Sequence, residues 1–374
     1  ATGRAGGAAA SLALAVDRLS RGDVRCRELR FGIRQALGDS GVERLSEALS
    51  DNNVLTCLDL GYNAIGDAGA ASLARALARS AGLRHLRLCG NCLGPPAAKH
   101  LAGALAGGAA LKHLDASGNR LGPEGVGDFA AALACNASLT RLDLSDNEAG
   151  HLGTSRLADA LGQNSTLLRL ELRHSLLGPE GAARLGEALA RNAALTALDL
   201  AANAVGDRGA ARLAEALPRN SSLRLLDLQH NQVGDAGAGW LAGALEVNTG
   251  LTELNLQRNW IGDEGAQVLS RAVLKNASLM ALDLHFNPLA CGLEAALEEA
   301  LERNQSRRAR RDTFHELVLM MRLATGPASP FTSLARGCVR ARDPGGPMEL
   351  LRRLFCRDAG MAQLLLQKVA SFCA

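Results

Sequence analysis

The sequence is dominated by one pattern that returns every 28 residues. The chain reads LDLGYNAIG at 58–66, LDLSDNEAG at 142–150 and LDLAANAVG at 198–206. The first leucine of the longer pattern L-x-x-L-x-L-x-x-N occurs at Leu55, Leu83, Leu111, Leu139, Leu167, Leu195, Leu223, Leu251 and Leu279. An interval kept through so many copies predicts a repeat array, in which each unit packs only against its neighbours.

Each unit has two halves with different periodicities. In the first half Leu198 and Leu200 alternate with Asp199 and Ala201, which predicts a short half-buried strand. In the second half, GDRGAARLAEAL, apolar residues recur three and four positions apart, which predicts a helix. The helix start is marked by acidic residues or prolines, which both favour a first turn: Asp67, Asp207, Asp235, Asp263, Pro95, Pro123 and Pro179.

The two halves predict a curved architecture. Parallel strands lie about 4.8 Å apart, whereas helices need about 10 Å, so the helix side of a stack must fan out. We therefore predict an α/β fold, a right-handed curved solenoid of strand-turn-helix units, with a parallel sheet on the concave face and helices on the convex face. The composition agrees, because 47% hydrophobic residues with only 3% aromatics indicate a regular core of Leu and Ala.

An asparagine follows the strand in eight of the nine units, at Asn63, Asn91, Asn119, Asn147, Asn203, Asn231, Asn259 and Asn287. We expect its amide to pair with backbone groups that the bend would otherwise bury without partners. Ser175 occupies this position in the remaining unit, so we predict a weaker contact there.

These units resemble the leucine-rich repeat family, specifically its ribonuclease-inhibitor-like subclass. The 28-residue length, the pattern LxLxxNxIGDxGAxxLAxAL and the helical second half carry the resemblance over about residues 27–306. The units are similar to those of the Ran GTPase-activating protein, of the C-terminal region of NOD-like receptors and of stand-alone leucine-rich repeat proteins. The resemblance implies the fold, and function must be argued from the site.

The ends of the array predict caps. Residues 1–54 are interpreted as an N-terminal helix near 10–20 and a degenerate capping repeat, whose strand is spoiled because Leu29 and Phe31 are out of phase by one residue. Residues 55–306 hold the nine repeats.

Residues 307–374 are interpreted as a basic linker and a helical C-terminal cap, with a mobile loop near 326–347. The final helices either cover the last repeat or bind a partner. The run RRARR at 307–311 is either a solvated linker or a nuclear import signal.

The net charge, the apolar runs and the cysteines bear on the protein's partners and location. The chain has 41 basic and 38 acidic residues, a net charge of +3, which does not favour nucleic acid as a partner. No apolar run approaches the roughly 18 residues of a membrane span. Nine cysteines without a pairing scheme indicate a reducing compartment, so we expect a cytoplasmic protein, with a cytoskeletal, ciliary or nuclear location left open.

No motif indicates catalysis, a metal site or a cofactor. CGNC at 89–92 has the spacing of a redox or zinc motif, but its place in the repeat favours a structural interpretation. Five N-x-S/T sequons occur, and the first four, at Asn136, Asn164, Asn220 and Asn276, share one repeat position. We expect these asparagines to end helices in the left-handed conformation rather than to carry glycans.

A ladder of carboxylates is predicted on the concave face. The residue between the two strand leucines is acidic in seven units, at Asp59, Asp115, Asp143, Glu171, Asp199, Asp227 and Asp283, and only Arg87 and Asn255 interrupt the series. Cations on the same face are expected to offset their repulsion: Arg84, His85, Lys112, His113, Arg141 and Arg169. The ladder is either a self-compensated solvated surface or a groove that steers a protein partner.

Scarce aromatic residues mark a second candidate surface. His230, Arg258 and Phe286 occupy one repeat position in successive units, and Trp260 lies beside them. Trp, Phe and Arg are frequent interface anchors, although these residues could instead cover the join to a C-terminal cap. Tyr62 occupies the same position in the first full unit, and Trp240 is expected to pack between neighbouring helices.

The sequence therefore predicts a non-enzymatic scaffold that binds a protein partner on its concave face, without cofactor or metal. The alternatives are a GTPase-activating protein of the Ran type, the sensing or autoinhibitory region of a larger NOD-like receptor, and a structural component of a ciliary or cytoskeletal assembly.

Overall fold

The structure, a computed structural model, describes residues 2–32, 35–289, 299 and 301–306. The chain divides into two units, Ala1–Glu298 and Glu299–Ala374. In the second unit the described residues are helical, with Leu301 and Asn304 buried. The linker, cap and loop predicted for 307–374 lie outside the described residues.

The first unit contains one sheet of parallel strands in chain order, β1 to β10. The strands are Glu28–Arg30, Cys57–Asp59, His85–Arg87, His113–Asp115, Arg141–Asp143, Arg169–Glu171, Ala197–Asp199, Leu225–Asp227, Glu253–Asn255 and Ala281–Asp283. Equivalent residues pair across the sheet, as Leu58 with Leu86 and Leu198 with Leu226. The sheet and its register confirm the α/β repeat fold.

A helix stands beside each strand, α1 to α10: Thr2–Ser20, Gly38–Leu49, Asp67–Leu77, Pro95–Ala106, Gly122–Cys135, Gly150–Leu161, Gly178–Leu189, Gly206–Ala216, Asp235–Val247 and Asp263–Lys275. Their inward leucines and alanines meet the central leucine of each strand, and Leu58, Leu73 and Leu198 are completely buried. Leu and Ala fill this core because every repeat offers similar space. None of the described helices is long and apolar enough to span a membrane.

The first repeat differs from our prediction. Its strand is not spoiled, because β1 forms and pairs in parallel with β2, Leu29 lying opposite Leu58. The two leucines are 29 residues apart, so the first repeat is one residue longer than the others. This extra residue explains why the sequence pattern is out of phase although the strand forms.

The N-terminal helix packs on this first repeat. In α1 Leu12, Ala15 and Leu19 are buried, and the Leu19 carbonyl accepts a hydrogen bond of 2.9 Å from Asn52 Nδ2. This contact is what an N-terminal cap requires, and the capping role stays a prediction.

The asparagine after each strand bonds to the preceding repeat. Asn231 Nδ2 donates to Leu200 O at 2.8 Å, while Asn231 Oδ1 accepts from Asn203 N at 2.9 Å and Val205 N at 3.2 Å. The side chain is completely buried. One amide thus satisfies three backbone groups that the neighbouring repeat cannot satisfy by itself.

Ser175 stands in place of the asparagine and does not make its side-chain bonds to the preceding repeat. Its Oγ donates to Arg173 O of its own repeat at 3.2 Å, and among the described residues it reaches no group of the preceding repeat. At this position the backbone bridges the two units, because Gly150 N donates to Ser175 O at 2.9 Å.

A second asparagine series lies at the other end of the strands, where helices end. Asn192 Nδ2 donates to Leu161 O at 2.7 Å and Asn164 O at 3.0 Å, and Asn192 Oδ1 accepts from Leu195 N at 2.7 Å. The equivalent residues are also buried: Asn52, Asn136, Asn164, Asn220, Asn248 and Asn276.

The sequon asparagines belong to this second series. The left-handed conformation predicted for them is wrong, since Asn136 has φ −79° and ψ 128° and Asn276 has φ −72° and ψ 141°. Asparagine stands there because its amide joins two repeats, and its burial leaves no room for a glycan in the folded chain.

The acidic residue at the helix start also acts on its neighbour. Asp207 Oδ1 accepts from Gly234 N at 2.7 Å and Gly237 N at 2.9 Å, so it caps the helix of the next repeat. Gly234 is extended, with φ −102°. Where a proline replaces the aspartate, as at Pro95 and Pro123, the glycine of the next repeat takes a positive φ instead, +61° at Gly122 and +60° at Gly150.

These contacts predict opposite effects at two equivalent positions. Asn231→Ala should lower the free energy of unfolding by roughly 2–4 kcal/mol, because it leaves buried backbone groups unpaired. Ser175→Asn should raise it by about 1 kcal/mol by supplying the missing acceptor and donors. Urea unfolding followed by circular dichroism measures both. A destabilising Ser175→Asn would show that the asparagine position depends on packing space rather than on hydrogen bonds.

Candidate protein-interaction surface

The first and third residues of each strand point away from the helices, onto what we call the open face. The middle residue points inward, as Leu58 does, and is buried. Since the strands pair without offset, equivalent residues form columns that run across the sheet. The predicted carboxylate ladder is the column of third residues.

Six ladder aspartates share a bond within their own repeat. One carboxylate oxygen accepts the N–H two residues later: Gly61 to Asp59 at 3.0 Å, Ser117 to Asp115 at 3.1 Å, Ser145 to Asp143 at 3.0 Å, Ala201 to Asp199 at 2.9 Å, Gln229 to Asp227 at 2.8 Å and His285 to Asp283 at 2.9 Å. Asn255, which interrupts the ladder, makes the same bond to Gln257 N at 3.0 Å. An Asx turn therefore explains the repeated aspartate, and one oxygen of each remains for other contacts.

Glu171 is the exception, because its longer side chain turns toward arginines. Arg141 donates to it through Nη2 at 2.9 Å and Nε at 3.1 Å, and Arg169 Nε lies 2.8 Å away. The Glu171 side chain is only 8% exposed. The N–H of Arg173, which an aspartate would have bonded, is satisfied by Ser145 Oγ at 3.1 Å.

The cations that contact the ladder are only partly those expected. Arg141 and Arg169 do so, but Arg84 donates to the carbonyl of Ala81 at 2.7 Å instead. Arg87, which interrupts the acidic series in the sequence, bridges Asp59 at 3.4 Å and Asp115 at 3.0 Å.

The other expected cations contribute less. His85 and His113 contact each other edge to face, with ring centroids 4.4 Å apart. No ion pair within 4.0 Å joins Lys112 to a described carboxylate. Self-compensation is therefore strong at Asp59, Asp115 and Glu171.

Compensation is weaker elsewhere on the ladder. Asp143 has no ion pair among the described residues, and burial raises its pKa to about 6, with the nearby Glu171 and Asp115 adding to the shift. Burial also raises the pKa of Asp227, whose second oxygen accepts only from the Asn255 amide at 3.2 Å.

Asp143 gives a pH-dependent prediction. Because its folded-state pKa lies above the unfolded value, stability is lost as pH rises from about 4 to about 6, and the cost persists above that range. Asp143→Asn keeps the turn acceptor, as Asn255 does, and should stabilise the chain at pH 7.5 by roughly 1–3 kcal/mol. Denaturant melts at pH 7.5 and 4.5 should show a gain that is clearly larger at the higher pH, because part of the cost is already present at pH 4.5. Asp283→Asn, at an exposed carboxylate, is the control, and an equal gain at both pH values would contradict this account.

A second feature lies along the edge where strands lead into helices. The residue before each asparagine has positive φ in every repeat, including Tyr62 (+58°), His230 (+57°), Arg258 (+55°) and Phe286 (+60°). Gly90 (+64°) and Gly118 (+63°) fill the same position without steric strain. The residues with a Cβ at the other positions, from Ala202 to Tyr62 and Phe286 in size, cost conformational energy, and such strain is found most often at functional sites.

At the C-terminal end these side chains are exposed and adjacent. Phe286 is 71% exposed, and the Arg258 guanidinium lies over its ring, 5.3 Å from the centroid. Successive backbones are held by His230 N to Gln257 O at 2.8 Å and Arg258 N to His285 O at 2.9 Å. Trp260 is 64% exposed, in the same edge. We call Trp260, Phe286, Arg258 and His230 the edge patch.

Tyr62 does not join the edge patch. Six strand spacings separate β2 from β8, which places Tyr62 roughly 30 Å from His230 at the spacing of parallel strands. It is half exposed, and its ring lies over Gly90, where a Cβ would come within 2.3 Å of Tyr62 Cε1. Its role as an anchor stays a separate prediction.

CGNC is arranged as a structural segment. Cys89 is buried, and burial raises the pKa of its thiol to about 11, whereas Cys92 is exposed. Among the described residues no group of three or more His, Cys, Asp or Glu side chains could hold a metal ion.

The family model for the leucine-rich repeat matches residues 51–74, 135–148, 191–214, 219–242 and 247–270, at intervals that agree with the strands and helices above. The chain is a leucine-rich repeat protein. No curated protein matches it.

Solved structures resemble parts of the repeat array. The actin-binding site 2 of leiomodin-1 is 24% identical, with a TM-score of 0.34, covering 39% of this chain and 82% of that one. The C-terminal domain of tropomodulin from Caenorhabditis elegans is 18% identical, with a TM-score of 0.33, covering 48% of this chain and 92% of that one.

Proposed function

We propose that this leucine-rich repeat protein is a non-enzymatic scaffold that binds a protein partner on the open face, with the edge patch as its anchor. The observation that carries the proposal is the placement of Phe286 and Arg258 in the left-handed conformation while their side chains stay exposed. Two repeats use glycine at this position, so the fold itself requires no side chain there. Exposed aromatic and arginine side chains are the usual anchors of protein interfaces.

The carboxylate ladder lies beside the edge patch and orients the bound partner. From β7 to β10 the third-residue column holds Asp199, Asp227, Asn255 and Asp283, and Arg173 lies 3.9 Å from Asp199. The first-residue column there has Ala197, Leu225 and Ala281, which are small or apolar, and the exposed acidic residue Glu253. This end of the open face therefore suits a basic side chain that lays its aliphatic stem on the sheet. A protein partner fits this arrangement better than a nucleic acid, whose phosphates the aspartates would repel.

The resemblance of the repeats to the ribonuclease-inhibitor-like subclass supports the same function, since repeats of this kind present long surfaces rather than enclosed pockets. The Ran-type, NOD-like receptor and ciliary or cytoskeletal alternatives stay predictions from the resemblance. A turnover assay with small GTPases tests the first of them.

The edge patch gives a prediction in which stability and binding change in opposite directions. Phe286→Gly should raise the thermal midpoint, because glycine relieves the strain at positive φ, by an amount corresponding to about 1 kcal/mol. Combined with Trp260→Ala it should reduce partner capture from native lysate at least about tenfold, as loss of anchor residues does. Quantitative mass spectrometry of captured proteins, wild type against variant, measures the loss.

Leu176→Ala is the matched control, because Leu176 is 68% exposed in the same edge of a distant repeat. It should leave capture unchanged. If the double variant captured every protein as the wild type does, the edge patch would not be the anchor.

A further inference from the structure

The open face from β7 to β10 differs in charge from the rest of the sheet. Its first and third strand residues include four carboxylates and no arginine or lysine: Asp199, Asp227, Glu253 and Asp283. From β2 to β6 the same two columns contain three arginines, and each of them pairs with a carboxylate of the sheet. The C-terminal end of the open face is therefore its acidic end.

Two of these four carboxylates have no cation beside them. Asp227 and Glu253 form no ion pair within 4.0 Å with any described residue, whereas Arg173 lies 3.9 Å from Asp199. Glu253 is exposed, and Asp227 is half-buried. A partner that brings cations to this end would pair with charges that the chain itself leaves uncompensated.

A row of uncharged residues lies between the ladder and the edge patch. The residue two positions after each of β7, β8 and β9 faces the open side, because the leucine before it is completely buried. These residues, which we call the floor, are Ala201, Gln229 and Gln257. In the preceding repeat the same position holds Arg173, whose Nη2 lies 3.5 Å from Gln229 Oε1. An uncharged strip thus runs beside the acidic column across three repeats.

The floor is about as wide as one helix. Three residues separate Asp227 from His230, and three separate Asp283 from Phe286, which is at most about 10 Å of extended chain. An α-helix with its side chains is about 10–12 Å in diameter. A helix that lies on the floor therefore contacts the ladder with one side and the edge patch with the other.

The spacing along the rows also matches a helix. Ladder residues of neighbouring strands are about 4.8 Å apart, whereas helix residues three and four apart in sequence advance about 5.3 Å per step. Over the three steps from β7 to β10 the mismatch is about 1.4 Å, which a long flexible side chain absorbs. In an extended peptide, residues on one side are about 6.6 Å apart, so the last residue would be displaced by more than one strand spacing.

We propose that the acidic end of the open face binds an amphipathic, basic α-helix of a protein partner. The helix lies on the floor and crosses β7 to β10, with its basic stripe on the ladder and its apolar stripe against Phe286 and Trp260. About ten helical residues cover the four strands. This inference rests on the proposed function, because it specifies the partner of the same surface.

The other exposed tryptophan does not contribute to this site. Trp240 lies on α9, on the helix side of the sheet, and is 56% exposed. The expectation that it packs between neighbouring helices is wrong, because its side chain points outward. The apolar stripe of the bound helix therefore meets Trp260 and Phe286 alone among these three aromatic residues.

Synthetic helical peptides test the partner's chemistry. The probe has lysines at i, i+4, i+7 and i+11 and leucines one position later, on an alanine background. One control replaces every lysine with glutamate, and a second carries a central proline, which breaks the helix. Fluorescence anisotropy with the full chain should show the lysine peptide binding at least about tenfold more tightly than either control, with an affinity that falls as salt is added.

Asparagine substitutions test the role of the carboxylates. Asp227→Asn with Asp283→Asn keeps both turn acceptors, as Asn255 does, and should weaken the lysine peptide about threefold to tenfold. Asp59→Asn is the matched control on β2, where Arg87 already pairs with the carboxylate, and should leave the affinity unchanged. Circular dichroism checks that every variant is folded.

A substitution on the floor tests where the helix lies. Gln257→Arg places a cation at the position that Arg173 holds in its own repeat, and should weaken the lysine peptide at least about tenfold by repulsion and by loss of space. Gln257→Ala leaves the floor open and uncharged, and should bind as the wild type does. Equal binding by the arginine and alanine variants would show that the peptide does not lie on the floor.

Capture from native lysate separates this inference from the proposed function. If the edge-patch double variant lost capture while Asp227→Asn with Asp283→Asn retained it, the proposed function would stand and the basic helix would be wrong. Unchanged capture by the edge-patch variant would instead remove the proposed function. A lysine peptide that fails to bind the wild type at low salt, or that binds no better than its glutamate or proline control, would overturn the helix whichever way capture behaves.

Discussion

The structure depends on the fact that no single repeat can satisfy its own backbone. The strand and the turns that flank it leave N–H and C=O groups that water cannot reach, and the neighbouring repeat supplies the partners. Asn231 does this at one end of the strand and Asn192 at the other. Because these bonds have strict geometry, they fix the spacing of repeats more closely than the leucine core, whose contacts are not directional.

This constraint separates structural residues from those left for binding. The ladder aspartates look like a steering surface in the sequence, yet one oxygen of each closes an Asx turn. What remains is the second oxygen, and its surroundings differ along the sheet. Arg87, Arg141 and Arg169 neutralise Asp59, Asp115 and Glu171, whereas Asp143 and Asp227 are half-buried and have no ion pair within 4.0 Å among the described residues. The open face is therefore not uniformly acidic, because its carboxylates are neutralised by arginine in some repeats and not in others.

The edge patch and α9 lie at the same end of the array but on different elements. The first follows the strand ends, where the backbone must take a positive φ, and the second lies on the helix surface. Units of such a protein differ mainly at outward positions, although a buried position can differ as well, as Ser175 shows. Trp240, Trp260 and Phe286 are large apolar side chains at outward positions, and each is more than half exposed.

The sequence by itself determined the fold class, the repeat length, the inward leucines and the neighbours in the edge patch, because a constant period fixes which residues share a column. It did not show that β1 forms, because the one extra residue of the first repeat shifts its leucine pattern relative to the other repeats. It also gave the wrong reason for the sequon asparagines, and it did not show that Asp207, which lies in the first turn of its own helix as predicted, also caps the helix of the next repeat. Only the tertiary structure decided those contacts and the exposure of Trp240, because they depend on distances between repeats that no pattern within one repeat contains.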